Sequence, residues 1–180
     1  MDRQEVSIGD FSAYLKMEGK NQYEQKCKNT DRLTTFTINL KKDLWSKKPM
    51  ICIDQETAKA YCSSFGKDLP TKEQWEYAAG INNGQLYPWG DEDPTTEPPK
   101  TNFGQTNSYE INTTNVDNAT QDISPFGVLN MGGNVAEWTK DKQIAKGGAW
   151  NQETEYTRIE HSFKASKPNT SIGFRCIYNH

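Results

Sequence analysis

No window of the 180-residue chain approaches the ~18 consecutive apolar residues of a membrane-spanning helix, so direct membrane insertion is not expected. Histidine is scarce, with two residues, and the four cysteines contain no Cys-x-x-Cys pair, so a tetrahedral zinc site is not expected. Structural disulfides or inert buried thiols remain open for Cys27, Cys52, Cys62 and Cys176. A charge excess is lacking as well. Lys+Arg number 21 against 24 Asp+Glu, a net charge of −3, which gives no electrostatic reason to expect nucleic acid or an anionic membrane as partner. Gly 13 and Pro 8 are near average usage and set aside collagen-like and low-complexity classes. The start, Met1-Asp2-Arg3-Gln4-Glu5, has no apolar stretch of signal-peptide type, so the protein is cytosolic or its leader has been removed.

Aromatic residues are plentiful: Trp 5, Tyr 8 and Phe 7 make 11 % of the chain, enough to build a core although the hydrophobic total is 33 %. The length fits one domain, usually roughly 100–200 residues, and residues 1–180 show neither an internal repeat nor a linker. Ser7 is placed as the N-cap of a first helix with Ile8, Phe11, Tyr14 and Leu15 at helical spacing, stopped by Gly19. The stretch 21–48 is polar and basic; its β-prone run from Leu33 to Leu40 has no assigned place. A second helix follows Asp54 as N-cap, carries Ala58, Tyr61, Cys62 and Phe65 inward and ends at Gly66. Thr71 and Gln74 form a capping box for a third, whose packing surface is Trp75, Tyr77, Ala78 and Ala79. Residues 81–125 read as long loops, and the last third alternates short β-prone pieces at 143–146 and 172–178.

Five segments in order carry a resemblance over residues 50–178. They are the helix-entry stretch Asp68-Leu69-Pro70-Thr71 running on to Trp75-Glu76-Tyr77-Ala78-Ala79, then Tyr87-Pro88-Trp89-Gly90, and then Asn130-Met131-Gly132-Gly133-Asn134-Val135-Ala136-Glu137-Trp138. Lys146-Gly147-Gly148-Ala149-Trp150 and Ile172-Gly173-Phe174-Arg175-Cys176 complete the set. The chain resembles the formylglycine-generating enzyme, or sulfatase-modifying factor, family, and residues 5–15 resemble that family's first helix. The resemblance implies an α+β, C-type lectin-like fold, loop-rich, with a short twisted antiparallel sheet and two or three helices. Trp89, Trp138 and Trp150 are then core aromatics. A family strand that pairs near the C-terminal strand is expected to be missing, as in a domain cut from a longer protein.

The family's enzymes use two cysteines in the polar loop before the Gly-Phe-Arg motif, where thiolates hold monovalent copper. Residues 151–171 contain no cysteine, so copper-dependent oxidation is not expected and no catalytic residue is assigned. Cys176 matches the family's structural disulfide partner of Cys62, with Cys27 and Cys52 as a second, less certain pair. The resemblance also implies one calcium ion, held by the side chains of Asn130 and Glu137 and the carbonyls of Gly133 and Val135; the alternative is a tight turn held by Asn side chains without metal. The family's other calcium site needs an Asp-Gly-aromatic segment that is absent between Asn102 and Asp122.

The chain is thus expected to be a non-catalytic module that recognises a protein or peptide through the 150–171 loop, with Trp150, Asn151, Tyr156, Arg158, His161 and Phe163 as contact residues. The alternatives are a regulatory domain of a larger protein, since such domains occur fused to bacterial Ser/Thr kinases, and a divergent enzyme of the family. A kinase-type protein implies a cytoplasmic location, a removed leader an extracytoplasmic one.

Overall fold

A computed structural model describes residues 1–29, 32–39, 45–104, 110–118 and 121–178. Three helices form where the caps place them. Helix α1 (Ile8–Met17) is capped by Ser7, and Asp10 returns the bond, so it starts with a full capping box. Helix α2 (Gln55–Ser64) is capped by Asp54, and α3 (Lys72–Ala79) by the Thr71–Gln74 box. Phe11, Tyr14, Leu15, Ala58, Tyr61, Cys62, Trp75, Ala78 and Ala79 are all buried, as the helical spacing predicts. Two aromatics depart from it. Phe65 follows the last turn of α2 and is 41 % exposed, its ring 5.0 Å from Tyr61; Tyr77 is 52 % exposed and stacks on Phe126.

The unassigned stretch after α1 forms an antiparallel hairpin of β1 (Gln22–Asn29) and β2 (Arg32–Asn39). Strand alternation turns Cys27, Phe36 and Ile38 inward and leaves Lys26, Lys28 and Thr35 in solvent. Leu40, the end of the β-prone run, lies outside the described residues, as does His180. Strand β3 (Lys67–Asp68) pairs with β8 (Ile177–Tyr178). The main sheet has the order β6–β5–β4–β7, built from β4 (Ala136–Trp138), β5 (Ile144–Lys146), β6 (Ser162–Lys164) and β7 (Ile172–Gly173). Its pairs are antiparallel except β4–β7, which is parallel. The N-terminal segment runs beside the C-terminal one: the Asp2 and Val6 amides donate to the carbonyls of Cys176 and Phe174 at 2.8 and 2.9 Å.

The principal core gathers the inner faces of α1, α2 and the hairpin around β4 and β7. Trp138 and Trp150 are buried, each with its indole N–H on a backbone carbonyl, of Ile53 at 2.8 Å and of Thr170 at 3.2 Å. Trp89 is only half-buried and lies flat on Tyr87, ring centres 5.1 Å apart. All four cysteines are paired, Cys62 with Cys176 and Cys27 with Cys52. The first ties α2 to the C-terminal segment, the second the hairpin to the segment before α2. No helix among the described residues is long and apolar enough to cross a membrane.

Candidate functional site

The glycine-rich stretch before β4 encloses a buried charge cluster. Glu137 on β4 receives the Nε and Nη2 of Arg175 at 2.7 and 2.6 Å and the indole N–H of Trp75 at 2.8 Å. Arg175 also donates to the carbonyls of Asp2, Arg3 and Leu129, so every guanidinium N–H has an acceptor. Glu5 is held between two side-chain amides, Asn130 at 2.9 Å and Asn134 at 2.8 Å. Both asparagines have left-handed backbone (φ 58 and 67), which this residue type tolerates and which curls the loop around the carboxylate. Burial, only partly offset by Arg175, pushes Glu5 up to about 7.

The calcium set expected from the sequence was Asn130, Gly133, Val135 and Glu137. Both carboxylate oxygens of Glu137 are committed to Arg175 and Trp75, and the Asn130 amide group to Glu5 and the Val116 carbonyl. The Asn130 bonds are made by its side-chain nitrogen, not by the oxygen expected to face an ion, and with Asn134 they tie the loop to Glu5. Among the described residues no three of His, Cys, Asp and Glu are grouped to share a metal. Of the members that sequence reasoning missed, Arg175 had one signal, a charge set between Phe174 and Cys176 in an apolar run, whereas Glu5, between Gln4 and Val6, had none.

The second candidate is the loop after β5. Gly148 has no room for a side chain, since a Cβ there would lie 2.5 Å from the Gly132 carbonyl and 3.2 Å from that of Tyr156, and this close approach seats the 3₁₀ turn Thr154–Thr157 on the core. Lys146, fully buried, donates to Glu76 at 2.8 Å and to the Ile159 carbonyl at 2.7 Å, pinning the loop from below. Three expected contact residues come together as half-buried rings. Tyr156 meets His161 edge-on at 4.4 Å, and Phe163 lies 6.3 and 6.4 Å from the two. Burial, and next the Lys146 ammonium, hold the imidazole below its usual range. Arg158 is exposed. Trp150, expected in the contact set, is fully buried and supports the loop from beneath instead.

Four buried side-chain polar atoms among the described residues have no hydrogen-bond partner, and three are on this loop: Asn151 Oδ1, Gln152 Oε1 and His161 Nε2. Buried polar groups are normally satisfied, so each marks a place where an ordered water or a small rearrangement of the loop would be favoured. A cavity of about 270 Å³ opens at the other end of the loop, where Ala165, Ser166 and Lys167 face Asp54, Gln55 and Trp138.

Comparison with known proteins gives a consistent picture. The family described as Sulfatase-modifying factor enzyme 1-like domain matches residues 1–180. The inactive C-alpha-formylglycine-generating enzyme 2 of Bos taurus is 31 % identical over 153 residues, covering 71 % of this chain and 49 % of that protein. A serine/threonine-protein kinase of Chlamydia pneumoniae is 27 % identical over 162 residues, covering 75 % of this chain and 25 % of the kinase. The chain therefore spans half or less of the length of these relatives. The solved structure of PvdO from Pseudomonas aeruginosa superposes with a TM-score of 0.73 at 20 % identity, covering 97 % of this chain and 77 % of that one, a likeness of fold.

Proposed function

The chain belongs to the sulfatase-modifying factor enzyme 1-like family, and from that premise we propose that it is a non-catalytic binding module whose recognition surface is the 150–171 loop. The observation that carries the proposal is the cluster of half-buried rings, Tyr156, His161 and Phe163, that the fold brings together on this loop. Around them stand exposed charges of both signs, Glu153, Glu155, Arg158, Glu160 and Lys164. An aromatic patch with a rim of mixed charge suits a protein or peptide better than a polyanion. Copper oxidation has no support in the residues: the loop lacks cysteine, and all four cysteines of the chain are in disulfides.

A regulatory role within a larger protein is the second reading, favoured by the similarity to the chlamydial kinase. In that case the same surface would face another part of the polypeptide. Two measurements test the proposal. Incubation with copper and a peptide carrying the sulfatase cysteine motif should leave the cysteine mass unchanged; turnover above a buffer control overturns the non-catalytic reading. Affinity capture with the chain and with Tyr156→Ala as matched baits should retain a partner on the first and lose it on the second, and equal retention overturns the loop assignment.

A further inference from the structure

Among the described residues the longest strands are β1 and β2, eight residues each, and they make a two-stranded sheet of their own. Its two edges differ. Lys28 on β1 turns its backbone away from the hairpin: its N–H donates to the Pro168 carbonyl at 3.1 Å and its carbonyl accepts from the Thr170 amide at 2.8 Å, so the outer edge of β1 is covered there. Lys28 stands opposite Leu33 in the hairpin register, and the two therefore form a non-hydrogen-bonded pair in which the Leu33 N–H and C=O also point outward. Strand alternation gives the same outward backbone to Thr35 and Thr37. Among the described residues, none of these outward groups on β2 meets a hydrogen-bond partner.

Long free edges are ordinarily guarded by lysine, proline, a bulge or shortness, because an uncharged, β-prone edge recruits other strands. Here the charges stand on the covered strand instead. Glu24, Lys26 and Lys28 of β1 are exposed, whereas residues 33–38 of β2, Leu-Thr-Thr-Phe-Thr-Ile, contain no charge, proline or glycine. Phe36 and Ile38 are buried in the core and fix the strand in place, while Leu33 is 71 % exposed. A foreign strand would find no charge on this edge to recognise. A second copy needs none, since a two-fold axis sets the strand against itself and any charge near the axis would oppose its like.

We propose that β2 is a dimerisation edge, pairing antiparallel with β2 of a second copy about a two-fold axis at Thr35. In that register Thr35 meets its own counterpart and Leu33 meets Thr37, each pair exchanging two hydrogen bonds, so the outward backbone groups are satisfied together and the exposed Leu33 is covered. The two hairpins become one four-stranded sheet in the order β1–β2–β2–β1. The 168–170 segment of each copy lies along its outer edges, so the dimer carries the 150–171 loop twice. One strand edge buries far less than the roughly 1,600 Å² of a standard interface, which makes the dimer weak and reversible, with a Kd of the order of 10⁻⁵–10⁻⁴ M.

Sedimentation equilibrium on the full chain, disulfides intact, tests this between about 5 μM and about 1 mM. The average mass should rise from monomer towards dimer across that range. Thr35→Lys and Thr35→Glu each place like charges on the axis and should each weaken association at least tenfold, and an equimolar mixture of the two should restore it, because lysine then faces glutamate. Thr35 is exposed and its N–H points outward, so neither change removes a hairpin hydrogen bond or a core contact, and circular dichroism confirms the fold. A second measurement needs no variant: amide exchange at Leu33, Thr35 and Thr37 should slow as concentration rises, while Thr34 and Phe36, bonded within the hairpin, stay protected throughout. A parent chain that remains monomeric at about 1 mM leaves the edge to a foreign strand or to solvent and overturns the proposal. Association untouched by both charge variants, a mixture that fails to recover it, or exchange at the three amides that ignores concentration does the same.

Discussion

Arg175 grips Glu137 through two hydrogen bonds of 2.6 and 2.7 Å with neither side chain exposed, and so joins β4 to the segment between β7 and β8. The remaining guanidinium N–H groups reach the carbonyls of Asp2, Arg3 and Leu129, which brings the N-terminal segment and the glycine-rich loop into the same knot. A planar fork can serve five acceptors at once; a lysine ammonium cannot.

Arg175→Lys should therefore destabilise the fold by about 3–5 kcal/mol although the charge is kept, because it leaves buried acceptors on Glu137 and Leu129 without donors. Urea unfolding measures it. A loss below about 1 kcal/mol would mean the pair is replaceable by solvent or by a shift of the loop.

Glu5 gives a pH dependence with a defined sign. Burial raises it from 4.5 to about 7, so the folded protein binds this proton more tightly than the unfolded chain. Its contribution is full below about pH 4.5, is lost as pH rises through 7, and amounts to about 3 kcal/mol across that window. His161, held low by burial, acts in the opposite direction. Denaturant stability at pH 5 and 7.5 should fall more steeply in the parent than in Glu5→Gln. Equal slopes would place the Glu5 proton elsewhere.

The three helices were legible because their caps are local: Ser7, Asp54 and Thr71 each bond a backbone amide three residues ahead. The hairpin of β1 and β2 was not, because the inward positions of β1 are Tyr23, Gln25 and Cys27, a set too polar to show alternation. The family motifs carried the fold and the Cys62–Cys176 pair, and the absence of cysteine from the loop was plain. What single residues could not disclose was direction. Trp150 and Tyr156 are both loop aromatics in the sequence, yet one is sealed beneath the loop and the other stands half-exposed on it. Nor could the sequence announce that Arg175 would pair with the Glu137 carboxylate, since 38 positions separate the two.

The two disulfides should contribute unequally. Cys62 and Cys176 are separated by 114 positions and Cys27 and Cys52 by 25. In the chain-entropy account, Cys62→Ser with Cys176→Ser should cost about 4–5 kcal/mol, and the Cys27 and Cys52 double substitution about 3.5 kcal/mol. Non-reducing peptide mapping fixes the pairing first, and a Cys52–Cys62 link would contradict the arrangement of α2. Comparable losses from the two double variants would show that local strain or residual structure, not loop length, sets the contribution.

The recognition loop yields a prediction that separates anchors from scaffold. Tyr156 and Arg158 sit on its outer surface, whereas Thr157 between them and Ile159 after them point inward. For any partner retained by the chain, Tyr156→Ala or Arg158→Ala should weaken binding by roughly 1–3 kcal/mol if either is a central anchor, with little change in melting temperature. Substitution of exposed Lys20, or of Lys47 in its surface pair with Asp117, should alter affinity by less than about 0.5 kcal/mol, since surface charges away from an interface mainly influence encounter. His161→Ala tests the ring that meets Tyr156 edge-on at 4.4 Å, and its removal should weaken binding in the same direction as Tyr156→Ala. Titration calorimetry on the five variants gives the pattern. Strong effects at Lys20 or Lys47 with none at Tyr156, Arg158 and His161 would move the interface to the opposite face of the domain.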